Sequence, residues 1–145
     1  MEASTDRANK TDLTLRHTPL TRSGVSQGNQ KVERDTKVLL QCLPSGACIW
    51  LSLDNPIILG GNESFPEADI LDLSYLDNRH HLSKHHCTLR RRGLCVTVTD
   101  WGSAYGTFLN GDRLLPGMEY AVADGDRLVL GTLHLAVYFI NLGKK

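Results

Sequence analysis

Residues 82–111 read LSKHHCTLRRRGLCVTVTDWGSAYGTFLNG. At the centre, Leu94-Cys95-Val96-Thr97-Val98-Thr99 alternates in the period-two manner of a half-buried β-strand. Two polar loops flank that strand, one around Ser83 to His86 and one around Gly102 to Gly106. If both leave the same end of a sheet, they form one site. The stretch closes on Asn110-Gly111, a strong signal for a type I′ hairpin turn, because both central residues of that turn need positive φ.

Outward from this stretch the same texture continues. From Thr36 onward, short apolar runs are broken by Gly, Pro, Asn and Asp at intervals of about ten residues, which predicts an all-β sandwich or barrel. Lys37 to Leu43 and Ala47 to Leu53 are expected as strands around Pro44-Ser45-Gly46. Ile57-Ile58-Leu59 is a continuous apolar run, which predicts a strand covered on both faces and ended by Gly60-Gly61. A short strand is expected over Asp69 to Leu73, then an irregular Ser74 to His81. Further strands are expected over His86 to Arg91, Leu94 to Asp100, Thr107 to Leu109, Arg113 to Leu115, Tyr120 to Ala123, Arg127 to Leu130 and Leu133 to Ile140. No amphipathic helix longer than about a turn is evident.

The chain has 145 residues, enough for one domain with a core of its own. Residues 1–36 hold five Leu and Val, no Ile and no aromatic residue, so they bury too little apolar surface to offset chain ordering. The expected organisation is a disordered Thr-rich tail over 1–36, a β-domain over 37–141 and a short tail over 142–145. Thr11, Thr14, Thr18 and Thr21 lie near Lys10, Arg16 and Arg22, and are either a solvated leader or acceptor sites for a Ser/Thr kinase. Sixteen Lys and Arg against sixteen Asp and Glu give zero net charge, so no global field points to a nucleic acid or an anionic membrane. The N-terminus has no apolar signal segment and no run is long enough to span a bilayer, so a cytoplasmic location is expected. Cys42, Cys48, Cys87 and Cys95 have no CxxC spacing and read as small buried side chains in a reducing compartment.

Charge is local instead. Between Asn78 and Thr99 stand Arg79, Lys84, Arg90, Arg91 and Arg92 with four histidines and no carboxylate, a field that attracts anions. The three consecutive arginines read as a solvated turn before Gly93. Ser83 beside Lys84 supplies a hydroxyl and an ammonium, two of the donors that a phosphate prefers. His80, His81, His85 and His86 suggest a metal, but adjacent residues on an extended chain point to opposite faces and no Cys or carboxylate stands at ligand spacing. One histidine is better read as a buried hydrogen-bonding post. Ser83 and His86 lack the third group and oxyanion hole that nucleophilic catalysis needs, so neither enzyme activity nor a cofactor or metal is expected.

Leu82-Ser83-Lys84-His85-His86, followed by Asp100-Trp101-Gly102-Ser103-Ala104-Tyr105-Gly106-Thr107-Phe108-Leu109-Asn110-Gly111, resembles the core of the forkhead-associated (FHA) domain. That family reads Gly-Arg after an early strand, then Ser-Arg-x-His, then Asp-x-Gly-Ser-Thr-Asn-Gly-Thr-Phe-x-Asn-Gly. The resemblance covers residues 37–141 and implies a β-sandwich of about eleven strands that binds phosphothreonine peptides through loops at one end. It assigns Ser83 to the phosphate, Lys84 to a neighbouring phosphate-facing position and His86 to bracing the loops. Gly60, Asp100, Gly102, Gly106, Thr107, Asn110 and Gly111 match the loop framework.

Three positions of the implied binding set depart from the pattern. Gly61 stands where the family has its phosphate-binding Arg, Ala104 replaces Thr, and Tyr105 replaces the Asn that fixes the peptide backbone. Arg79 or Asn62 is a candidate substitute donor, and Tyr105 is a candidate stacking surface. The expectation is a monomeric signalling adaptor for a Thr-phosphorylated protein or peptide, with a tail that autoregulates it. The alternative is a degenerate FHA domain that binds a protein partner without phosphate.

Overall fold

The computed structural model describes residues 36–61 and 69–141. Asn62, the four tail threonines and the C-terminal residues 142–145 lie outside the described residues. The described residues form eleven strands in chain order: β1 (Thr36–Leu43), β2 (Cys48–Leu51), β3 (Ile57–Gly60), β4 (Ile70–Asp72), β5 (Cys87–Arg92), β6 (Cys95–Asp100), β7 (Thr107–Leu109), β8 (Asp112–Arg113), β9 (Glu119–Val122), β10 (Arg127–Leu130) and β11 (Leu133–Asn141). The sole helical element among the described residues is a 3-10 turn over Ser74–Leu76.

The strands form two sheets. One has the order β2-β1-β11-β10-β7-β8 and the other β4-β3-β5-β6-β9. Every pairing is antiparallel except that of β3 with β4. Alternation dictates which side chains meet between the layers. Val38, Leu40 and Cys42 of β1 are buried, as are Leu133, Leu135 and Val137 of β11, and they face Leu59, Leu89, Val96 and Val98 of the second sheet in one core. A leucine such as Leu40, Leu59 or Leu89, with no exposed surface, contributes about 2 kcal/mol by leaving water.

The structure corrects four details of the sequence reading. Arg90, Arg91 and Arg92 belong to β5, and the turn that follows needs only Gly93 and Leu94, since Arg92 already pairs with Cys95. Arg92 is also ion-paired: its Nε lies 3.0 Å from Glu119 Oε1. Glu119 in turn accepts from Thr97 Oγ1 at 2.8 Å, which is how a threonine on the outer face of β6 is fully buried.

β3 is not covered on both faces. Leu59 is buried and Ile57 packs against the core, but Ile58 is only half-buried because it alternates to the outer face. Cys48 is exposed and Cys95 half-buried, whereas Cys42 and Cys87 are buried. β2 is an edge strand on which Cys48 stands opposite Gln41, so the apolar run around Cys48 did not imply burial. The strand expected at Arg113 to Leu115 lies instead at Asp112–Arg113, set by the hairpin.

Asn110 and Gly111 adopt φ of 52° and 92°, as a type I′ turn requires, and connect Leu109 to its register partner Asp112. Asn110 also ties this hairpin to β10. Its Nδ2 donates to Asp126 Oδ1 at 2.9 Å and its Oδ1 accepts from Arg127 N at 2.8 Å.

Candidate functional site

The loop over 82–86 passes across the end of β3 at a point where only glycine fits. A Cβ on Gly60 would run into the backbone carbonyl of Lys84. That close approach lets Gly61 N donate to Ser83 O at 3.2 Å and His86 N donate to Leu59 O at 3.0 Å, so the loop is stitched to β3.

His86 is fully buried beneath the loop. The Ser83 N–H donates to His86 Nδ1 at 3.0 Å, so Nδ1 is an acceptor and the proton of a neutral ring sits on Nε2. Nε2 then donates to the Gly106 carbonyl at 2.9 Å. One imidazole therefore holds both loops. Burial holds its pKa below the ordinary value, against opposing contributions from the Gly106 carbonyl and from the Asp100 and Asp77 carboxylates. Asp77, itself buried, accepts from Leu82 N at 2.9 Å and fixes the entry to the loop.

Asp100 organises the second loop. Its Oδ2 accepts from Gly102 N at 2.9 Å and Ser103 N at 3.2 Å, while Oδ1 accepts from Ser103 Oγ at 2.5 Å and Thr107 Oγ1 at 2.7 Å. Burial raises this carboxyl's pKa, but the four hydrogen bonds to the ionised form outweigh it and the net shift is downward. The result is a rigid turn that aims the Ala104 N–H at the first loop. Ala104 N donates to Ser83 Oγ at 3.0 Å. The two loops thus meet at one end of the sandwich.

Gly60, Ser83, Lys84, His86, Asp100, Gly102, Ala104, Gly106 and Thr107 come together here. Lys84 is exposed and Ser83 half-buried. Gly61 lies beside them, but a side chain there would leave toward Leu82 Cδ2 and Ser74 Cβ, at 3.2 and 3.4 Å from its first carbon. Arg79 sits on the exposed turn after Asp77. Asn110 and Gly111 brace β7 and β8 rather than the loop mouth.

Tyr105 is not a lone stacking surface, because it already stacks on His81 with ring centroids 4.0 Å apart and planes at 26°. His81 carries no sequence signal for that role. A second residue missed in the sequence is Arg113, whose Nε would lie 2.8 Å from a Cβ on Gly106, and whose guanidinium carbon stands 5.8 Å from the Phe108 ring centroid. That placement was accessible, since a two-residue hairpin at Asn110-Gly111 puts residue 113 opposite residue 108.

The FHA domain family model matches residues 58–131, half of the chain. Protein FraH of Nostoc sp. strain PCC 7120 is 33% identical over 72 residues, which are 50% of this chain and 25% of FraH. The chain thus spans about a quarter of the length of that relative. An FHA domain described as taking part in phosphothreonine-dependent interactions is 27% identical, with a TM-score of 0.54, over 70% of this chain and 95% of the other. The FhaA FHA domain, solved with the intracellular domain of Rv3910, is 27% identical, with a TM-score of 0.53, over 69% and 98% of the two chains. FHA domains are interaction modules. The sandwich, the two loops joined through Ser83 and His86, and the family match over both of them lead to one conclusion: this chain belongs to the FHA domain family.

Proposed function

We propose that the chain is a phosphothreonine-peptide-binding adaptor of the cytoplasm, with no catalytic activity of its own. One observation carries this reading. Ser83 Oγ accepts the Ala104 N–H at 3.0 Å, which uses one lone pair of the hydroxyl and leaves its proton to donate to a phosphate oxygen. Lys84 adds an exposed ammonium beside it. The 27%-identical domain with phosphothreonine-dependent interactions supports the same ligand class. Arg79 and the guanidinium of Arg113 against Gly106 are the candidates to replace the family Arg that Gly61 lacks. A hydrogen bond to a charged group contributes on the order of 1.5 to 3 kcal/mol, so binding without that Arg is expected to be about tenfold to a hundredfold weaker.

A phosphothreonine peptide library tests this. Binding that is lost on removal of the phosphate, and reduced at least tenfold by Ser83→Ala with Lys84→Ala, supports the reading. Binding that survives both changes contradicts it.

The missing guanidinium at Gly61 favours one other reading, a protein partner bound through the loop tips without phosphate. Competition separates the two, since free phosphopeptide displaces a partner held through phosphate and leaves the other kind in place.

The tail adds a regulatory element to the first reading. Thr18 and Thr36 are eighteen residues apart, and a random coil of that length has an r.m.s. span of about 23 Å, comparable to a domain of this size. A phosphorylated tail threonine would occupy the site in cis at an effective concentration near mM and exclude other ligands. Phosphorylation of the tail by a Ser/Thr kinase should then shift amide resonances around Ser83 and Gly106 in the same molecule. Unmoved resonances contradict it.

A further inference from the structure

His81 is held from three sides. Its carbonyl lies over Gly131, where a Cβ would come within 2.7 Å of the His81 oxygen. Its Nδ1 is 3.2 Å from Thr132 Oγ1, and its ring stacks on Tyr105 at 4.0 Å. The preceding residue, His80, has φ of 58°, a left-handed conformation that sets the direction in which the chain enters the loop. Gly131 is tied in turn to the second loop, its N–H donating to Gly106 O at 2.9 Å. Three separate turns therefore converge to fix one ring pair.

That pair does not serve the core. Tyr105 keeps 53% of its surface exposed, although it belongs to the rigid turn set by Asp100. It directly follows Ala104, whose N–H holds Ser83 Oγ. A fixed, exposed aromatic ring one residue from the N–H that holds Ser83 Oγ is a preorganised surface for a ligand side chain, because its ordering cost is met before binding. An extended peptide advances about 3.3 Å per residue, so this ring reaches side chains within about three positions of the phosphorylated one.

The charges around the ring select the chemistry. Lys84 follows Ser83 on the first loop and the Arg113 guanidinium lies against Gly106, the residue after Tyr105, and both disfavour a cationic side chain. An uncharged ring on the ligand gains offset stacking on Tyr105 without that opposition.

We infer that the His81–Tyr105 stack is an aromatic platform that selects an aromatic side chain close to the phosphothreonine, with His81 as the residue that positions Tyr105. This rests on the phosphothreonine reading given above and adds the specificity of the same site.

The test is fluorescence anisotropy on phosphothreonine peptides of alanine background carrying Trp, Arg or Ala at each of the positions within about three residues of the phosphothreonine, with unphosphorylated twins. The readout is the affinity ratio of the Trp peptide to the Ala peptide. The wild-type chain should give a ratio of about three to ten at one position or more. Tyr105→Ala and His81→Ala should bring the ratio close to one, and His81→Phe, which keeps a ring to stack, should restore it. A purely structural role for the pair would lower all affinities together and leave the ratio unchanged.

A wild-type ratio near one, a ratio that survives Tyr105→Ala, or a preference for Arg over Trp overturns the platform while phosphate-dependent binding stands. Failure of every phosphopeptide to bind overturns the phosphothreonine reading and the platform with it.

Discussion

The backbone N–H of Ser83 points at Nδ1 of His86, 3.0 Å away, so the residue proposed to meet the phosphate is aimed by a buried ring that must stay neutral. The same ring reaches Gly106 O through Nε2 at 2.9 Å. An uncharged imidazole with one acceptor and one donor satisfies both loops at once, whereas an imidazolium would set a second donor against the Ser83 N–H.

Loss of the ring should therefore cost both packing and two buried hydrogen bonds. His86→Ala is expected to destabilise the domain by about 3 kcal/mol in urea unfolding, with an unchanged slope. His86→Gln, which offers one acceptor and one donor, should recover part of that loss. A cost within experimental error for His86→Ala would remove the ring from its structural role.

Acid should weaken the fold in two stages. The folded state holds His86 below its ordinary pKa of about 6.5, so its contribution is fully present above that value and is lost as pH falls through the folded pKa. Asp100, also depressed, contributes above an ordinary value of about 4 and loses that contribution as pH falls further, through its own folded pKa. Urea midpoints measured from pH 8 downward should show the first stage in the wild type and lack it in His86→Gln. A wild-type profile flat down to about pH 4.5 contradicts the neutral-ring assignment.

Neighbouring glycines should respond to very different degrees. Gly60→Ala forces a methyl into the Lys84 carbonyl and is expected to cost about 3 kcal/mol or to prevent folding, because backbone atoms on both sides must move. Gly61→Ala meets the far end of the Leu82 side chain at 3.2 Å and Ser74 Cβ at an ordinary contact distance of 3.4 Å, and should cost less than about 1 kcal/mol. Thermal melts of the two variants decide the matter.

The cysteines offer a map of burial. Burial, and secondarily the Asp100 carboxylate, push the Cys87 thiol up, so it is neither exposed nor ionised at neutral pH. A thiol reagent under native conditions should modify Cys48 first, Cys95 more slowly, and Cys42 and Cys87 only after unfolding. Mass spectrometry of a time course shows the order, and early labelling of Cys87 would contradict the position of β5.

Much of this architecture could be read from local signals. Asn110-Gly111 announced its turn because few other pairs take positive φ twice, and the alternation around Val96 and Val98 marked β6 because one of its faces must be apolar. Ser83 was legible as a hydroxyl donor beside Lys84, whereas the choice of His86 among four histidines rested on the resemblance to the FHA family. What could not be read depends on contacts between distant segments.

Nothing near His81 signals that it stacks on a residue twenty-four positions later, since a third turn at Gly131 and Thr132 completes that placement. The reason for glycine at position 60 is likewise a carbonyl from another loop. Cys48 and the three arginines were misread for a related cause. Composition does not say that β2 is an edge strand, or that β5 runs on to Arg92 before turning.

The most direct test of the account is amide chemical-shift mapping with a phosphothreonine peptide and its unphosphorylated twin. Phosphate-dependent binding at these loops predicts saturable shifts from the phosphorylated peptide alone, concentrated at Ser83, Lys84 and Ala104 to Gly106, and abolished by Ser83→Ala with Lys84→Ala. Shifts that are the same for both peptides, or that centre away from these two loops, would contradict it.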